Sequence, residues 1–338
     1  MRQASSTSNS ESLRYLALLV SVAALMTLLI ATIAGAGLLF GAIAFPVHEL
    51  LQYQREKIDA TTRVDTAFFG DSTLGNAIDS RTWNASGDKP TLNLALAGTF
   101  GYAGSLNLSR RLLEHAMPRR NVYMHALDMM TREPAYLGYL HSADRLFPLD
   151  EVPIEVIVGA YLNLDNAQAT LRYLLRGRDA RASLGWSTDY PPQRALSLNR
   201  SPAYRERHVA LALRTEQINP RKLLYLRRIA ALCAEQKFDC VYVHGPVIES
   251  YCRNSGPYIE RVGQMIRDTG LRVIDGTPLC VPLEEIGDSD DHVAPAFKGL
   301  YSGCYRELIE GAPQSTACQE RQYRGNAANN RPSEAHGR

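Results

Sequence analysis

Apolar residues in this chain form one long run near the N-terminus and several short runs further on. The long run extends from Tyr15 to Val47 without a charged residue. A helix needs about 20 apolar residues to cross a bilayer, whereas the apolar core of a cleaved signal peptide has only about 7–15. The pattern therefore predicts a transmembrane anchor over 15–47, preceded by a disordered cytoplasmic tail over 1–14. A buried helix of a soluble domain is the alternative interpretation.

The short apolar runs alternate with helical patterns. The runs that predict strands are Val64–Phe69, Thr91–Leu96, Asn121–Leu127, Cys240–His244 and Leu271–Ile274. The helical patterns are Tyr102–Met117, Pro220–Gln236 and Pro257–Asp268. Short buried strands separated by helices of this length are typical of a parallel sheet covered on both faces. We therefore predict an α/β three-layer sandwich with about five parallel strands.

The remaining segments complete the predicted organisation. Residues 48–63 read as an amphipathic connector between the anchor and a domain over 64–318. Within that domain, residues from about 132 to 215 break the alternation and predict an insertion or cap. Residues 319–338 have almost no hydrophobic content and predict a disordered tail.

Charge and cysteine content narrow the class of protein. The 338 residues carry a formal net charge of +2, so a nucleic-acid partner, which requires a clustered basic surface, is not expected. Basic residues on the two sides of the apolar run barely discriminate its orientation. Six cysteines all follow the run, which suits disulfides in an oxidising compartment, and their spacing is not that of a metal site. We therefore predict a single-pass inner-membrane protein with a periplasmic or extracytoplasmic domain, and no pairing is assigned.

Candidate chemistry begins where the first predicted strand ends, in the sequence FFGDSTLGNAIDS. Ligands gather at the carboxyl ends of strands in an open parallel sheet. Ser72 lies just beyond such an end, where it can act as a nucleophile with backbone amides nearby to stabilise an oxyanion. The alternative is an ordinary turn and helix cap, since Asp71 and Ser72 are residue types that favour those positions.

A nucleophilic serine needs a base, usually a histidine held by a carboxylate. His292 is the strongest candidate among eight histidines, because three acids precede it within four residues in GDSDDHVAPAFKGLYS. One of these acids can reach Nδ1 of the ring and orient Nε2 toward the serine. The alternative is an exposed histidine on an acidic loop. The three acids are Asp288, Asp290 and Asp291.

Three stretches together resemble the SGNH (GDSL-like) hydrolase superfamily. They are FFGDST, NLALAGTFG and the Asp/His loop near the C-terminus. The chain is most similar to the membrane-anchored bacterial branch that contains acyltransferases and esterases of cell-surface polysaccharides. The resemblance implies that Ser72 is the nucleophile and donates its own amide to the oxyanion hole, and that His292 is the base. It also puts Gly98 and Asp71 among the oxyanion or substrate-binding residues.

Two departures from the family pattern leave parts of the site open. The family loop is Asp-x-x-His, but Ser289 occupies the position three before His292. Asp290 gives the Asp-x-His spacing of the alginate-acetylating relatives and is therefore preferred as the third triad member, with Asp288 as the runner-up. The family's Gly-x-Asn-Asp block is also missing, because HALDMMTRE after the third strand contains Asp128 but no asparagine.

The resemblance implies a serine acyl-esterase or O-acyltransferase that acts on a cell-envelope glycan through an acyl-Ser72 intermediate. It implies no cofactor and no metal. Expected partners are an ester or acylated glycan, membrane lipid around the N-terminal helix, and a membrane-bound O-acyltransferase. The alternative is a catalytically degenerate protein of the same fold that binds glycan or organises an envelope polysaccharide complex. A lipase-like activity is a third possibility.

Overall fold

The N-terminal apolar run forms a single long helix. The computed structural model describes residues 8–40, 46–84, 90–143, 145, 147–176, 211–274 and 278–322. Helix α1 (Ser8–Phe40) contains an apolar segment, Glu11–Leu39, that is about 43 Å long at 1.5 Å per residue. It is therefore long and apolar enough to cross a bilayer core of about 30 Å, as in a single-pass membrane protein. Residues 8–14, predicted to be disordered, belong to this helix, whereas residues 1–7 lie outside the described ranges.

The predicted strands form one parallel sheet. The strands are β1 (Thr66–Gly70), β2 (Thr91–Ala95), β3 (Arg120–His125), β4 (Asp239–His244), β5 (Val247–Ile248), β6 (Arg272–Val273) and β7 (Cys280–Val281). Five of them pair in the order β2-β1-β3-β4-β6, all parallel, and β5 pairs with β7 in a separate parallel ribbon. The predicted α/β class with about five parallel strands is confirmed.

Helices occupy the connections between these strands. After α1 they are α2 (Pro46–Asp59), α3 (Ser72–Ala77), α4 (Ser80–Asn84), α5 (Gly101–His115), α6 (Tyr136–Ser142), α7 (Ile154–Tyr161), α8 (Leu164–Arg176), α9 (Leu223–Gln236), α10 (Glu249–Asn254), α11 (Gly256–Arg267), α12 (Lys298–Glu310) and α13 (Thr316–Arg321). The three helical patterns read from the sequence correspond to α5, α9 and α11.

The sheet order fixes where a ligand would lie. The chain leaves β1 toward β2 on one side and then returns to β3 on the other, which makes the carboxyl ends of β1 and β3 a topological switch point. Ligands of open α/β sheets bind in the crevice outside such a point. Gly70 ends β1 there, and a Cβ at that position would lie only 1.8 Å from the carbonyl oxygen of Met124 in β3. Glycine is therefore required for the two strands to come this close.

Helix α2 is part of the packed domain and not the connector predicted over 48–63. Leu51 and Ile58 are fully buried. The buried Gln54 side chain donates to the carbonyl oxygen of Ala95 at 2.6 Å. Arg55 donates to the carbonyl oxygen of Ser142 at 3.0 Å. These contacts tie α2 to β2 and α6.

The predicted insertion contains three described helices and a segment outside the description. Helices α6, α7 and α8 lie between residues 136 and 176, whereas residues 177–210 fall outside the described ranges. Helices α7 and α8 pack against α1. At the C-terminus, α13 continues through Arg321, so the predicted disordered tail begins later than residue 319, and residues 323–338 lie outside the description.

All six cysteines form disulfides, as the even count on one side of the apolar run predicts. The pairs are Cys233–Cys240, Cys252–Cys280 and Cys304–Cys318. The first joins α9 to the start of β4, the second joins α10 to β7, and the third holds α13 against α12. The disulfides therefore brace the C-terminal third of the domain, which carries His292.

Candidate active site

Ser72 is the first residue of α3, directly after the tight turn that ends β1. Asp71 caps this helix, because its Oδ1 accepts the backbone N–H of Thr73 at 3.0 Å. Its Oδ2 accepts the N–H of Ala126, beyond β3, at 2.9 Å. The carboxylate thereby joins the ends of β1 and β3 and fixes the backbone on which Ser72 stands.

Ser72, His292 and Asp288 form a continuous hydrogen-bonded chain. The Oγ of Ser72 lies 2.9 Å from Nε2 of His292, and Nδ1 of the same ring lies 2.6 Å from Oδ1 of Asp288. Two segments separated by more than 200 residues therefore meet at one edge of the sheet, as the sequence predicts. A hydroxyl, an imidazole and a carboxylate linked in this order can act as nucleophile, base and orienting acid.

The acid behind His292 is Asp288 and not the preferred Asp290. The loop turns back on itself, because the N–H of Gly287 donates to the carbonyl oxygen of His292 at 2.7 Å. This turn brings the residue four positions before the histidine under its ring. The backbone carbonyl of Asp290 instead accepts the N–H of Ile248 at 2.7 Å, which holds that residue toward β5. The Asp-x-His spacing that favours Asp290 would need a loop that does not turn back in this way.

The surroundings of His292 favour its protonated form. Burial lowers the pKa of His292, but the hydrogen bond with Asp288 and the negative charge of Asp291 raise it, so the net pKa lies above its ordinary value of 6.5. The hydrogen bond to His292 in turn lowers the pKa of Asp288. An imidazolium that forms during proton transfer from Ser72 would therefore be stabilised at this position.

Asp71, predicted among the oxyanion or substrate-binding residues, is buried beneath the site. Its side chain is 2% exposed, and both oxygens accept the backbone amides already described. Burial raises the pKa of Asp71 to about 6, and the charge of Asp291 adds to the effect. The observed contacts of Asp71 therefore cap α3 and hold the ends of β1 and β3 together.

Gly98 lies in the loop after β2, beside the serine turn. The two loops are joined where the N–H of Leu96 donates to the carbonyl oxygen of Gly70 at 2.9 Å. A Cβ at Gly98 would lie 2.9 Å from Nη1 of Arg132, so the guanidinium occupies the space that a side chain would need. Arg132 comes from the end of the loop after β3, where its Nη2 pairs with Asp128 at 2.7 Å.

A cavity of about 220 Å³ opens next to Asp291, whose Oδ1 lies 3.7 Å from Nε2 of His292. Its walls combine acids and one arginine with apolar and aromatic groups: Leu127, Asp128, Arg132, Leu213, Val247, Tyr251, Ser289, Asp290 and Asp291. The preferred Asp290 thus lines this cavity although it does not contact the histidine ring. A cavity of this size and mixed lining can hold a small polar group near Asp291.

Asp291, one of the three candidate acids, and two residues without a predicted role, Thr73 and Arg132, complete the site. Asp291 lies near the ring of His292, with its Oδ1 at 3.7 Å from Nε2. Thr73 donates its hydroxyl proton to Oδ2 of Asp291 at 2.7 Å and so fixes that carboxylate. Arg132 places a positive charge beside Gly98, in the loop after β2 (here called the glycine loop). The only available signal for Arg132 was its position after β3, because the carboxyl ends of neighbouring parallel strands meet at one edge.

Comparison with known proteins adds no family assignment. No family model and no curated protein matches the chain. Among the residues that the structure describes, no group of three His, Cys, Asp or Glu is arranged to hold a metal ion.

Proposed function

We propose that the chain is a membrane-anchored serine acyl-esterase or O-acyltransferase of the SGNH type, with a three-layer α/β/α domain. The observation that supports this most directly is the hydrogen-bonded chain from Ser72 through His292 to Asp288, at 2.9 Å and 2.6 Å. Its position at the switch point of a parallel sheet is the expected position of an active site.

In the proposed reaction, Nε2 of His292 takes the Ser72 hydroxyl proton while Oγ forms a bond to the acyl carbon of an ester. The tetrahedral intermediate collapses, the ester C–O bond breaks, and the leaving alcohol receives the proton from Nε2. An acceptor hydroxyl then gives its proton to Nε2 and attacks the acyl-Ser72 carbonyl. Cleavage of the acyl–Oγ bond returns the proton to Ser72. Water as acceptor gives hydrolysis, and a sugar hydroxyl gives O-acylation.

The proposed substrate is an ester or acylated glycan of the cell envelope. The apolar helix α1 and the three disulfides support a domain on the periplasmic side of an inner membrane. A membrane-bound O-acyltransferase that supplies acyl groups across the bilayer is the proposed partner. This partner follows from the family resemblance and is not required for hydrolysis.

A serine-directed fluorophosphonate probe tests the proposal on the full chain in detergent. We expect labelling of the unchanged chain, loss of labelling in Ser72→Ala, and retention in Ser289→Ala. Ser289 is a matched control because it lies on the same loop as His292 and lines the cavity next to Asp291. Labelling that persists in Ser72→Ala would remove the assignment. A folded chain that is never labelled but retains envelope glycan would favour the non-catalytic alternative.

A further inference from the structure

The consecutive helices α7 and α8 (residues 154–176, here called the hairpin) carry large apolar side chains on the outside. Several large aliphatic side chains on it are between 42% and 84% exposed. They are Ile154, Val158, Leu162, Leu164, Leu171, Leu174 and Leu175. Exposed apolar side chains gathered on two consecutive helices of a folded domain favour a binding site for protein or membrane.

Apart from Ile157, the side chains that are buried on the inward face of the hairpin are small or polar. Those buried there include Ala160, Ala167, Ala169 and Thr170. They pack against glycines of α1: a Cβ at Gly37 would lie 1.9 Å from the Thr170 hydroxyl, and one at Gly35 would lie 2.7 Å from the Tyr161 ring. Small residues inside and leucines outside reverse the pattern of a water-soluble domain. This reversed pattern is typical of helices that pack together in lipid.

The length of α1 puts the hairpin at the level of the bilayer. Large apolar side chains on α1 are exposed as far as Leu29. The uncharged stretch from Tyr15 to Leu29 rises only about 21 Å at 1.5 Å per residue. A hydrocarbon core of about 30 Å therefore extends about six residues further, to Gly35. Gly35 is the residue against which Tyr161 of the hairpin packs.

We propose that the α7–α8 hairpin is a second membrane contact, seated in the phospholipid leaflet on the side of the folded domain. Its apolar surface continues the lipid-facing surface of α1, and the occupant is phospholipid. The charged Glu155, Asp165 and Arg172 are exposed on the same hairpin, which suits an interfacial position at the headgroups. The proposal rests on α1 crossing the membrane and is independent of the ester chemistry.

The hairpin also links the membrane to the candidate active site. Helix α6 lies between them and packs against both α5 and α7. A Cβ at Gly138 of α6 would lie 2.7 Å from the carbonyl oxygen of Thr99, next to Gly98. A cavity of about 430 Å³ runs from Thr99 to Val156 and Ala160 of the hairpin. A seated hairpin would therefore hold the glycine-loop edge of the sheet near the bilayer surface.

Tryptophan quenching by brominated phospholipid tests the proposal. The full chain, reconstituted in vesicles of phosphatidylcholine and phosphatidylglycerol, would carry Leu164→Trp or Leu174→Trp, and the signal of the two native tryptophans would be subtracted. Leu25→Trp on α1 is the positive control. Met117→Trp is the negative control, because Met117 is 63% exposed beyond the far end of α5. We expect quenching at residues 164 and 174 to exceed that at 117 by at least about twofold.

Quenching at residues 164 and 174 equal to that at 117 would overturn the proposal. The same low quenching together with cross-links between copies would assign the surface to a second copy of the chain instead. An unquenched Leu25→Trp would remove the premise that α1 spans the bilayer and the proposal with it. Val158→Trp repeats the test from α7, so that a folding defect at one position does not decide the result.

Discussion

Replacing Asp288 with asparagine is the sharpest perturbation of the proposed triad. The carboxylate accepts a hydrogen bond from Nδ1 of His292 at 2.6 Å and is only 25% exposed. An asparagine amide of the same shape can present its NH₂ to Nδ1. The ring proton would then move to Nε2, and Nε2 could no longer accept the proton of Ser72. The substitution therefore changes the tautomer and the charge while it keeps the volume.

The expected loss follows from these contacts. A hydrogen bond to a charged group contributes about 1.5–3 kcal/mol, which corresponds to roughly 10-fold to 150-fold in rate. A histidine ring protonated on Nε2 cannot accept the serine proton, and in serine triads this tautomer lowers kcat by as much as about 10⁴-fold. We expect kcat of Asp288→Asn to fall by about 10²–10⁴-fold. Asp290→Asn keeps the backbone bond to Ile248, so its kcat should stay within about threefold of the unchanged chain.

Turnover of p-nitrophenyl acetate by the full chain in detergent measures both variants. Thermal unfolding of the same samples controls for loss of fold, and KM separates a binding effect of Asp290 at the cavity from an effect on the chemical step. A greater loss of kcat in Asp290→Asn than in Asp288→Asn would contradict the role proposed for Asp288. Full kcat in Asp288→Asn would contradict it as well.

Three further predictions concern charge at the site. The raised pKa of His292 predicts that turnover falls with acidification through an inflection above pH 6.5, and a pH–rate profile that stays flat to pH 5 would contradict this. Asp71 holds its proton more tightly when folded, with a pKa of about 6 against 3.8, so its stabilising effect is full below pH 3.8 and is lost as pH rises through about 6. Urea unfolding of Asp71→Asn and of the unchanged chain measures this effect. Between pH 4 and pH 7 the free energy of unfolding of Asp71→Asn should rise by up to about 3 kcal/mol relative to that of the unchanged chain, and a pH-independent difference would contradict the effect of burial on Asp71. If the charge of Arg132 faces the oxyanion, Arg132→Gln should lower kcat by about 10–10³-fold with no change in the unfolding midpoint. An unchanged kcat would mean that Arg132 does not stabilise the oxyanion.

Much of the fold could be predicted because short buried strands have a simple signature. β1 and β4 are runs of apolar residues bounded by turns, and their observed bounds differ from the predicted ones by at most two residues. The packing of α2 could not be predicted in the same way. Gln54 and Arg55 read as exposed in a sequence, yet both are buried, and each donates to a carbonyl oxygen of a distant segment.

Part of the candidate site could likewise be predicted from local sequence patterns, and part could not. Ser72 and His292 are recognisable because each follows a local pattern of residue types, a strand end in one case and an acidic loop in the other. The choice between Asp288 and Asp290 depends on how tightly one loop turns, which is set by backbone hydrogen bonds invisible in the sequence. Arg132 reaches Gly98 only because the strands β1, β2 and β3 are neighbours in the sheet.

Trapping the covalent intermediate tests the central proposal most directly. The full chain would be mixed with p-nitrophenyl acetate, quenched in acid after a few seconds, digested and analysed by mass spectrometry. The proposed mechanism predicts an acetyl group on the peptide that contains Ser72, and its loss in His292→Ala. An acetylation pattern that is identical in the unchanged chain and in His292→Ala would contradict nucleophilic catalysis by Ser72.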